Sequence, residues 1–333
     1  MRVLVAGGAG YIGSHMVRAL LAAGHQPVVF DNLTTGHRES LPPGVALVEG
    51  DLLDPAALHG CFAAHRPEAV MHFSARSLVG ESVAEPALYY ANNVAGTLNL
   101  LLAMRAAAVN LFVFSSTAAL FGEPEAVPIP DDALPRPINP YGTSKWMVER
   151  ILRDWDRAYG VRYVTLRYFN AAGATPDGVI GEDHQPESHL IPLVLKTALG
   201  QRPAVAVFGT DYPTPDGTCI RDYIHVDDLC SAHLLAVDYL VAGGESRAYN
   251  LGNGQGFSVR AVIEAARRIT GVAIPVEDVD RRPGDPAVLV ADSTRIRADL
   301  GWSPAWPALE TIVAHAWQWH RCHPDGYERG ARD

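Results

Sequence analysis

An α/β fold, with a doubly wound parallel sheet followed by a smaller α/β domain, is predicted by three features of this 333-residue chain. Short apolar runs alternate with amphipathic stretches through the first half, the first run passes straight into a glycine cluster, and the texture changes after Asn170. Val3–Ala6, Pro27–Asp31, Ala69–Ser74 and Leu111–Ser116 are the strand-like runs, each ended by a polar or glycine residue, and Arg162–Tyr168 is a further strand. Between the first two runs, Ile12, Met16, Ala19, Leu20 and Ala23 fall at helical spacing, and Gly24 stands where a helix stops. Strand–helix–strand alternation places helices on both faces of a parallel sheet.

Beyond Asn170, Ala171–Ser188 is rich in Gly, Pro and Asp and reads as a loop. Three Pro- or Gly-punctuated pieces follow: Pro203–Ile220, Gly252–Gly256 and Arg281–Pro286. The expected division is 1–170 for the first domain, with the chain returning to it around 221–252, and 171–333 for the second. The tail Gly326–Asp333 is expected to fray.

A net charge of -10 argues against non-specific binding to nucleic acid or to an anionic membrane surface, although local arginines can still hold an anionic ligand. Hydrophobic residues at 48% and charged residues at 19% place the chain among globular proteins, far from the disordered class. Cys61, Cys219, Cys230 and Cys322 form no CxxC pair, so free thiols in a reducing compartment are expected, with no zinc site or disulfide framework. Met1–Ala6 lacks a signal-peptide cleavage site and no apolar run approaches the ~18 residues of a membrane span, so a cytoplasmic location is expected.

Gly7-Gly8-Ala9-Gly10-Tyr11-Ile12-Gly13 follows the first strand and opens the first helix. Gly7 permits the tight turn, Gly10 lets backbone approach a pyrophosphate, and Gly13 allows close helix–strand packing, as in a Rossmann dinucleotide site. A glycine triplet alone is weak; the strand before it and the helix after it supply the required context. Asp31 closes the second strand where a carboxylate can accept hydrogen bonds from a ribose 2′-hydroxyl and repel a 2′-phosphate, which favours NAD over NADP. Asp31-Asn32 could instead simply cap a loop. Asp51, after the strand-like Ala46–Glu49, could reach the adenine or serve as a turn aspartate.

Tyr141 and Lys145 stand four apart in a segment that begins Asn139-Pro140, an N-cap followed by a first-turn proline, so they share a helix face. A tyrosine of ordinary pKa (~10) is only about 0.1% ionised at pH 7. A neighbouring cation, helped by a nicotinamide charge, can bring that pKa down to about 7, a gain of about 4 kcal/mol, and the tyrosinate can then abstract a hydroxyl proton. A Tyr-x3-Lys pair occurs by chance; with a glycine-rich βα turn and Ser115-Ser116-Thr117 at a strand end, it forms a catalytic set in which a hydroxyl bridges Tyr141 and substrate.

The motifs GGAGYIGSH, FSST, NPYGTSK, RYFNAAG, GTDYPTPDGTCIRDYIHVDD and RRPGD resemble those of the UDP-glucose 4-epimerases of the extended short-chain dehydrogenase/reductase family, over nearly the whole chain. The resemblance implies that Tyr141 takes the 4-hydroxyl proton of a UDP-sugar as the C4 hydride passes to tightly held NAD. The 4-keto sugar then rotates while its UDP stays anchored, and hydride returns to the opposite face. It implies cofactor contacts at Gly7, Gly10, Tyr11, Ile12, Gly13, Asp31, Asn32, Asp51, Leu52, Phe73, Asn92, Ser115, Tyr141, Lys145 and Tyr168. Thr117 and Tyr141 match the catalytic hydroxyls, with Lys145 as their electrostatic partner. Asn170, His189, Leu190, Ala206, Phe208, Arg221, Arg282, Asp285 and Leu289 match the nucleotide-sugar contacts; Arg221 and Arg282 suit a diphosphate, Asp285 a ribose hydroxyl and Phe208 the surround of a uracil. The family also implies a homodimer through a helix bundle, for which Tyr89–Ala108 and Tyr141–Tyr159 are the candidates.

Four positions depart from the family pattern. Thr117 replaces a more usual serine and keeps the hydroxyl. Ser77 stands where many members carry a lysine on the cofactor ribose, and His189 replaces an asparagine near the uracil, where it could equally be a turn residue ahead of Pro192. Leu289 occupies a position whose bulk is associated with acceptance or exclusion of N-acetylated sugars. A 4,6-dehydratase would carry Asp-Glu after the threonine; here Ala118-Ala119 can neither donate nor accept a proton. Epimerisation of another UDP-sugar, N-acetylated or a pentose, uses the same catalytic set and stays open. A non-catalytic NAD sensor would typically have lost Tyr141.

Overall fold

The computed structural model describes residues 1–282 and 285–327. Among these, seven parallel strands form the main sheet: β1 (Arg2–Ala6), β2 (Gln26–Asp31), β3 (Ala46–Glu49), β4 (Ala69–His72), β5 (Leu111–Thr117), β6 (Arg162–Tyr168) and the strand Arg247–Leu251. Their order from one edge is Arg247–Leu251, β6, β5, β4, β1, β2, β3. The order reverses at β1, which has β2 on one side and β4 on the other, and this is the crevice in which such sheets bind ligands.

Period-two alternation explains why the sheet is covered on both faces. Val3 and Val5 of β1 pack with Met16, Val17 and Leu20 of the helix Tyr11–Ala22 and with Leu229, Ala236 and Leu240 of the helix Val226–Val241. Leu4 and Ala6 turn the other way, into a second core with Leu100 and Met104 of Gly96–Ala106 and Val148 and Leu152 of Pro140–Tyr159. A strand buried on both sides reads as an unbroken apolar run, as β1 does. The long helix Pro140–Tyr159 starts where its cap residues require: Asn139 Oδ1 accepts the Gly142 N–H at 2.8 Å, and Gly160 ends it in a left-handed conformation.

The second half adds a separate core. Val205 and Val207, on a strand (Val205–Phe208) paired with Val276–Val279, pack with the helices Leu190–Ala198, Val259–Thr270 and Leu309–Cys322. Asp222 joins distant segments: its buried carboxylate accepts the N–H groups of Asn253 at 2.8 Å and of Gly254 and Ala291 at 3.1 Å. Among the described residues no helix is long and apolar enough to cross a membrane, and all four cysteines are free thiols.

The structure refines several expectations. The strand predicted to Ser74 ends at His72, because Phe73 and Ser74 both donate N–H bonds to the Ala6 carbonyl and bend the chain. The segment predicted as one helix over Tyr89–Ala108 is Pro86–Tyr89, a π-helical turn at Tyr90–Ala95, and Gly96–Ala106. The loop predicted from Ala171 begins inside a short strand, Asn170–Ala172, paired with Tyr223–His225. Within the tail expected to fray, Tyr327 is buried and bonds through its hydroxyl to Gly181, while residues 328–333 lie outside the described residues.

At the end of β4, His72 Nε2 donates to Thr97 Oγ1 at 2.8 Å, since that hydroxyl is itself committed as a donor to the Asn93 carbonyl. Burial, reinforced by Lys145, pushes His72 down to about 3. The unfolded chain takes up this proton near the ordinary value of 6.5 and the folded chain does not, so the stability associated with His72 is present above that value and lost as pH falls toward 3. His72→Gln should remove about 2 kcal/mol of the stability loss between pH 7 and pH 5, measured as urea-denaturation free energies at the two pH values.

Candidate active site

The glycine turn is dictated by backbone crowding at two positions. Gly7 has φ +80°, and a Cβ there would stand 2.4 Å from the Ser74 nitrogen; a Cβ on Gly13 would stand 2.0 Å from the Gly7 carbonyl oxygen. Gly10 differs, since a Cβ there would meet only the Gly7 oxygen at 3.4 Å, an ordinary contact. The protein's own packing therefore does not require glycine at position 10. The helix Tyr11–Ala22 begins at Gly10 with no side-chain cap and no acidic residue in its first turn, so its positive end is open to a phosphate. This donor set fits a dinucleotide pyrophosphate. Tyr11 leaves the turn to donate to the Gly173 carbonyl at 2.7 Å, and burial raises its phenol well above the usual range. Ile12 beside it is half-buried.

Asp31 is placed at the end of β2. Its carboxylate accepts the Ala9 N–H of the glycine turn and the Leu33 N–H, each at 2.9 Å, so it does cap the loop. Burial pushes its pKa up, against those two hydrogen bonds. Asn32 donates to Asp51 at 2.9 Å, and Asp51 also accepts the Leu53 N–H, which joins two of the cofactor candidates. Leu52 is buried next to Gly96.

The catalytic candidates meet at the carboxyl ends of β5 and β6. Thr117 and Tyr168 are paired in register, and the hydroxyls of Ser115 and Tyr168 are hydrogen-bonded to each other. Lys145 Nζ, fully inside the protein, donates to the Ser115 carbonyl at 2.9 Å. The Thr117 side chain is close enough to the Tyr141 hydroxyl to favour its ionised form. Phe73 lies 4.8 Å from the ring of His233, which also faces Tyr168. Asn92 donates to Asn93 at 2.9 Å within the π-helical turn.

The electrostatics differ from the simple expectation for a Tyr–Lys pair. Burial raises the Tyr141 phenol, and the nearby Thr117 hydroxyl partly offsets this. The physical reason is that the same burial lowers Lys145 to about 7, against the pull of Glu149, so the ammonium is only partly charged at neutral pH.

The nucleotide-sugar candidates fall in two groups. Arg221 pairs with Asp285 and stands in register with Leu289 across a parallel strand pair. Leu289 packs on the cluster of Leu120, Phe121 and Ile129 that follows Thr117. Phe208 lies under the Arg282 guanidinium at 3.8 Å, and Ala206 is two residues earlier on the same strand. Asn170 opens its short strand by donating to the Asp222 carbonyl at 3.1 Å. His189 immediately precedes the helix that starts at Leu190, but its ring turns to Glu182. Ser77 is exposed. Pro283 and Gly284, between Arg282 and Asp285, lie outside the described residues.

Residues 3–252 match the NAD dependent epimerase/dehydratase family. The chain belongs to that family. Over 333 residues, 100% of this chain and 99% of the other, it is 54% identical to the UDP-glucose 4-epimerase of Halalkalibacterium halodurans. The crystal structure of UDP-glucose 4-epimerase from Brucella ovis in complex with NAD superposes with a TM-score of 0.93 at 48% identity, covering 95% of this chain and 97% of that one. The enzyme from Bifidobacterium longum in complex with NAD+ and UDP gives a TM-score of 0.94 at 38% identity, covering 98% and 100%.

In this NAD-dependent epimerase/dehydratase family member, the support beneath the candidate catalytic residues carried no clear sequence signal. Glu149, one turn beyond Lys145, accepts a hydrogen bond from Ser116 at 2.7 Å and is clasped by Arg167 at 2.6 to 3.2 Å, with both side chains 9% exposed. Arg167 also donates to the Asp131 carbonyl at 2.9 Å. Asn93 uses its amide on Arg76 O and Ser144 Oγ, each at 3.0 Å. The helical period offers a hint only for Glu149, since it shares a face with Tyr141 and Lys145; Arg167 carried no such signal. Arg167→Met strands a buried carboxylate and should cost about 3–5 kcal/mol of unfolding free energy, most of it recovered in the Glu149→Gln/Arg167→Met double variant; denaturant titration of the single and double variants checks this.

Proposed function

We infer that this chain interconverts UDP-glucose and UDP-galactose by transient oxidation at C4, with NAD kept bound through the turnover. The observation that carries this is the meeting of Thr117, Tyr141 and Lys145 at strand ends beside the glycine turn, in a chain 54% identical over its full length to a UDP-glucose 4-epimerase. Bound NAD supplies the hydride acceptor and donor at C4 and a positive ring charge beside the phenol. Tyr141 takes the proton of the sugar 4-hydroxyl and later returns one, with Thr117 bridging the two oxygens. Lys145, held on the Ser115 carbonyl, would in its ammonium form favour the phenolate of Tyr141 that accepts the sugar proton.

For NAD, we assign Gly7, Gly10, Tyr11, Ile12 and Gly13 to the pyrophosphate, Asp31 to a ribose, and Asn32, Asp51 and Leu52 to the adenine end. Phe73, Asn92, Ser115 and Tyr168 surround the nicotinamide. Arg221 and Arg282 take the diphosphate of the UDP-sugar, Asp285 its ribose, and Phe208 with Ala206 and Leu190 its uracil, while the His189 ring is turned to Glu182. Asn170 and Leu289 face the sugar. The cofactor unit is 1–170 with 221–252, and the remainder is the nucleotide-sugar unit. The free thiols are in keeping with a reducing, cytoplasmic location.

A homodimer is part of this reading. Leu98 and Leu102, one turn apart on Gly96–Ala106, are exposed, as is Met147 on Pro140–Tyr159, which gives these two helices an uncovered apolar stripe suited to a bundle. Sedimentation should give a two-chain mass, and Leu98→Glu with Leu102→Glu should give one chain.

Purified protein should convert UDP-galactose to UDP-glucose with no added NAD, and Tyr141→Phe should lose about 10²–10⁴-fold in turnover while retaining its NAD. Parallel incubations with UDP-N-acetylgalactosamine and UDP-arabinose, with products resolved by chromatography, define the sugar range; failure with all three sugars rejects the substrate class.

A further inference from the structure

The loop just before the helix Leu190–Ala198 has the spacing Glu-x-His-x2-Glu-x-His, from Glu182 to His189. One donor atom from each of Glu182, His184, Glu187 and His189 lies within 4.8 Å of all the others. Both imidazoles turn their Nδ1 atoms to the same carboxylate oxygen: His184 is 3.2 Å from Glu182 Oε1, and His189 is hydrogen-bonded to it. The two rings stand at 90° with centroids 5.3 Å apart, so they converge edge-on and do not stack.

An ordinary pair of His–Glu bridges accounts for Glu182, which is 3% exposed and whose ionised form the two imidazoles favour against burial. It does not account for Glu187. That side chain is 4% exposed; its Oε1 fixes the loop by accepting the N–H groups of Ser188 and His189 at 2.7 and 2.8 Å. Its Oε2 is buried, has no hydrogen-bond partner among the described residues, and stands 3.8 Å from His184 Nδ1. A buried carboxylate oxygen with no donor is costly unless something positive occupies the space in front of it.

We propose that Glu182, His184, Glu187 and His189 together bind one divalent transition-metal ion of the zinc class. In a tetrahedral zinc site with bonds of about 2.0–2.1 Å, donor atoms stand roughly 3.4 Å apart; His184 and Glu182 at 3.2 Å already match this, while the wider pairs must draw in and the hydrogen-bonded His189 and Glu182 must part as the ion enters between them. Two imidazoles and two carboxylates suit zinc, cobalt or nickel; magnesium and calcium prefer oxygen alone. Four protein ligands and no open position make a structural site, one that pins the loop. The His184 ring lies edge-on to Tyr11 at 6.2 Å, and His189 precedes Leu190, so the ion fastens the start of the cofactor helix to the start of the helix assigned to the uracil. Binding displaces protons from the histidines and tightens as pH rises.

The test uses tag-free, full-length protein stripped with chelator and titrated calorimetrically with zinc chloride, then with cobalt chloride. One ion per chain is expected, with a cobalt visible spectrum of four-coordinate intensity and a melting temperature that rises with metal. His184→Ala and Glu187→Gln should each weaken binding roughly tenfold or more and lose the thermal shift while keeping bound NAD and native circular dichroism. His184→Gln replaces the alanine variant if that one does not fold. No stoichiometric uptake with metal in excess over protein, or folded His184 and Glu187 variants that titrate like the parent, overturns the proposal.

Discussion

Lys145 reaches from its helix to the carbonyl of Ser115, and this contact ties the element that carries Tyr141 to the strand that carries Thr117. An ammonium held inside protein loses its hydration, and here burial brings it down to about 7. Glu149 below it works in the opposite direction, and its carboxylate is itself held by Arg167 and Ser116. The catalytic geometry thus rests on a charge ladder that runs from the helix into β6.

The ladder works because the sheet aligns its members. Parallel strands point the same way, so their carboxyl ends deliver Gly7, Phe73, Thr117 and Tyr168 to one side of the molecule. Strand order reverses between β4 and β1, which opens a crevice there without breaking any backbone pairing. Both faces of the sheet are buried under helices, so register is set by packing: a slip of one residue would exchange the two apolar cores. The second half is then hung from this frame by Asp222 and by the short strand pair Asn170–Ala172 with Tyr223–His225.

Local patterns made the first half readable. Unbroken apolar runs mark the doubly buried strands, Gly7 and Gly13 are forced by backbone contact, and Asn139 and Gly160 bracket a helix whose period puts Tyr141 and Lys145 on one face. The rest depends on contacts between residues far apart in sequence. Strands as short as Ile220–Arg221 and Val288–Leu289 carry no period of their own and exist only through each other. Glu149 and Arg167, Asp131 and Asn250, and Asp222 and Ala291 are joined by the fold alone. The metal-type cluster escaped for another reason: cysteine spacing was the criterion, and the ligands here are carboxylates and imidazoles.

Asp31 has two occupations at once. The carboxylate proposed above to face the cofactor ribose also holds the Ala9 N–H of the glycine turn. Retargeting this scaffold to the phosphorylated coenzyme is therefore not a matter of one side chain. Neutralising position 31 releases the very backbone amide that shapes the phosphate cradle, so an engineer, or natural drift, must supply a replacement acceptor in the same step. On the proposed reading, coenzyme choice in this chain is tied to loop architecture as much as to charge.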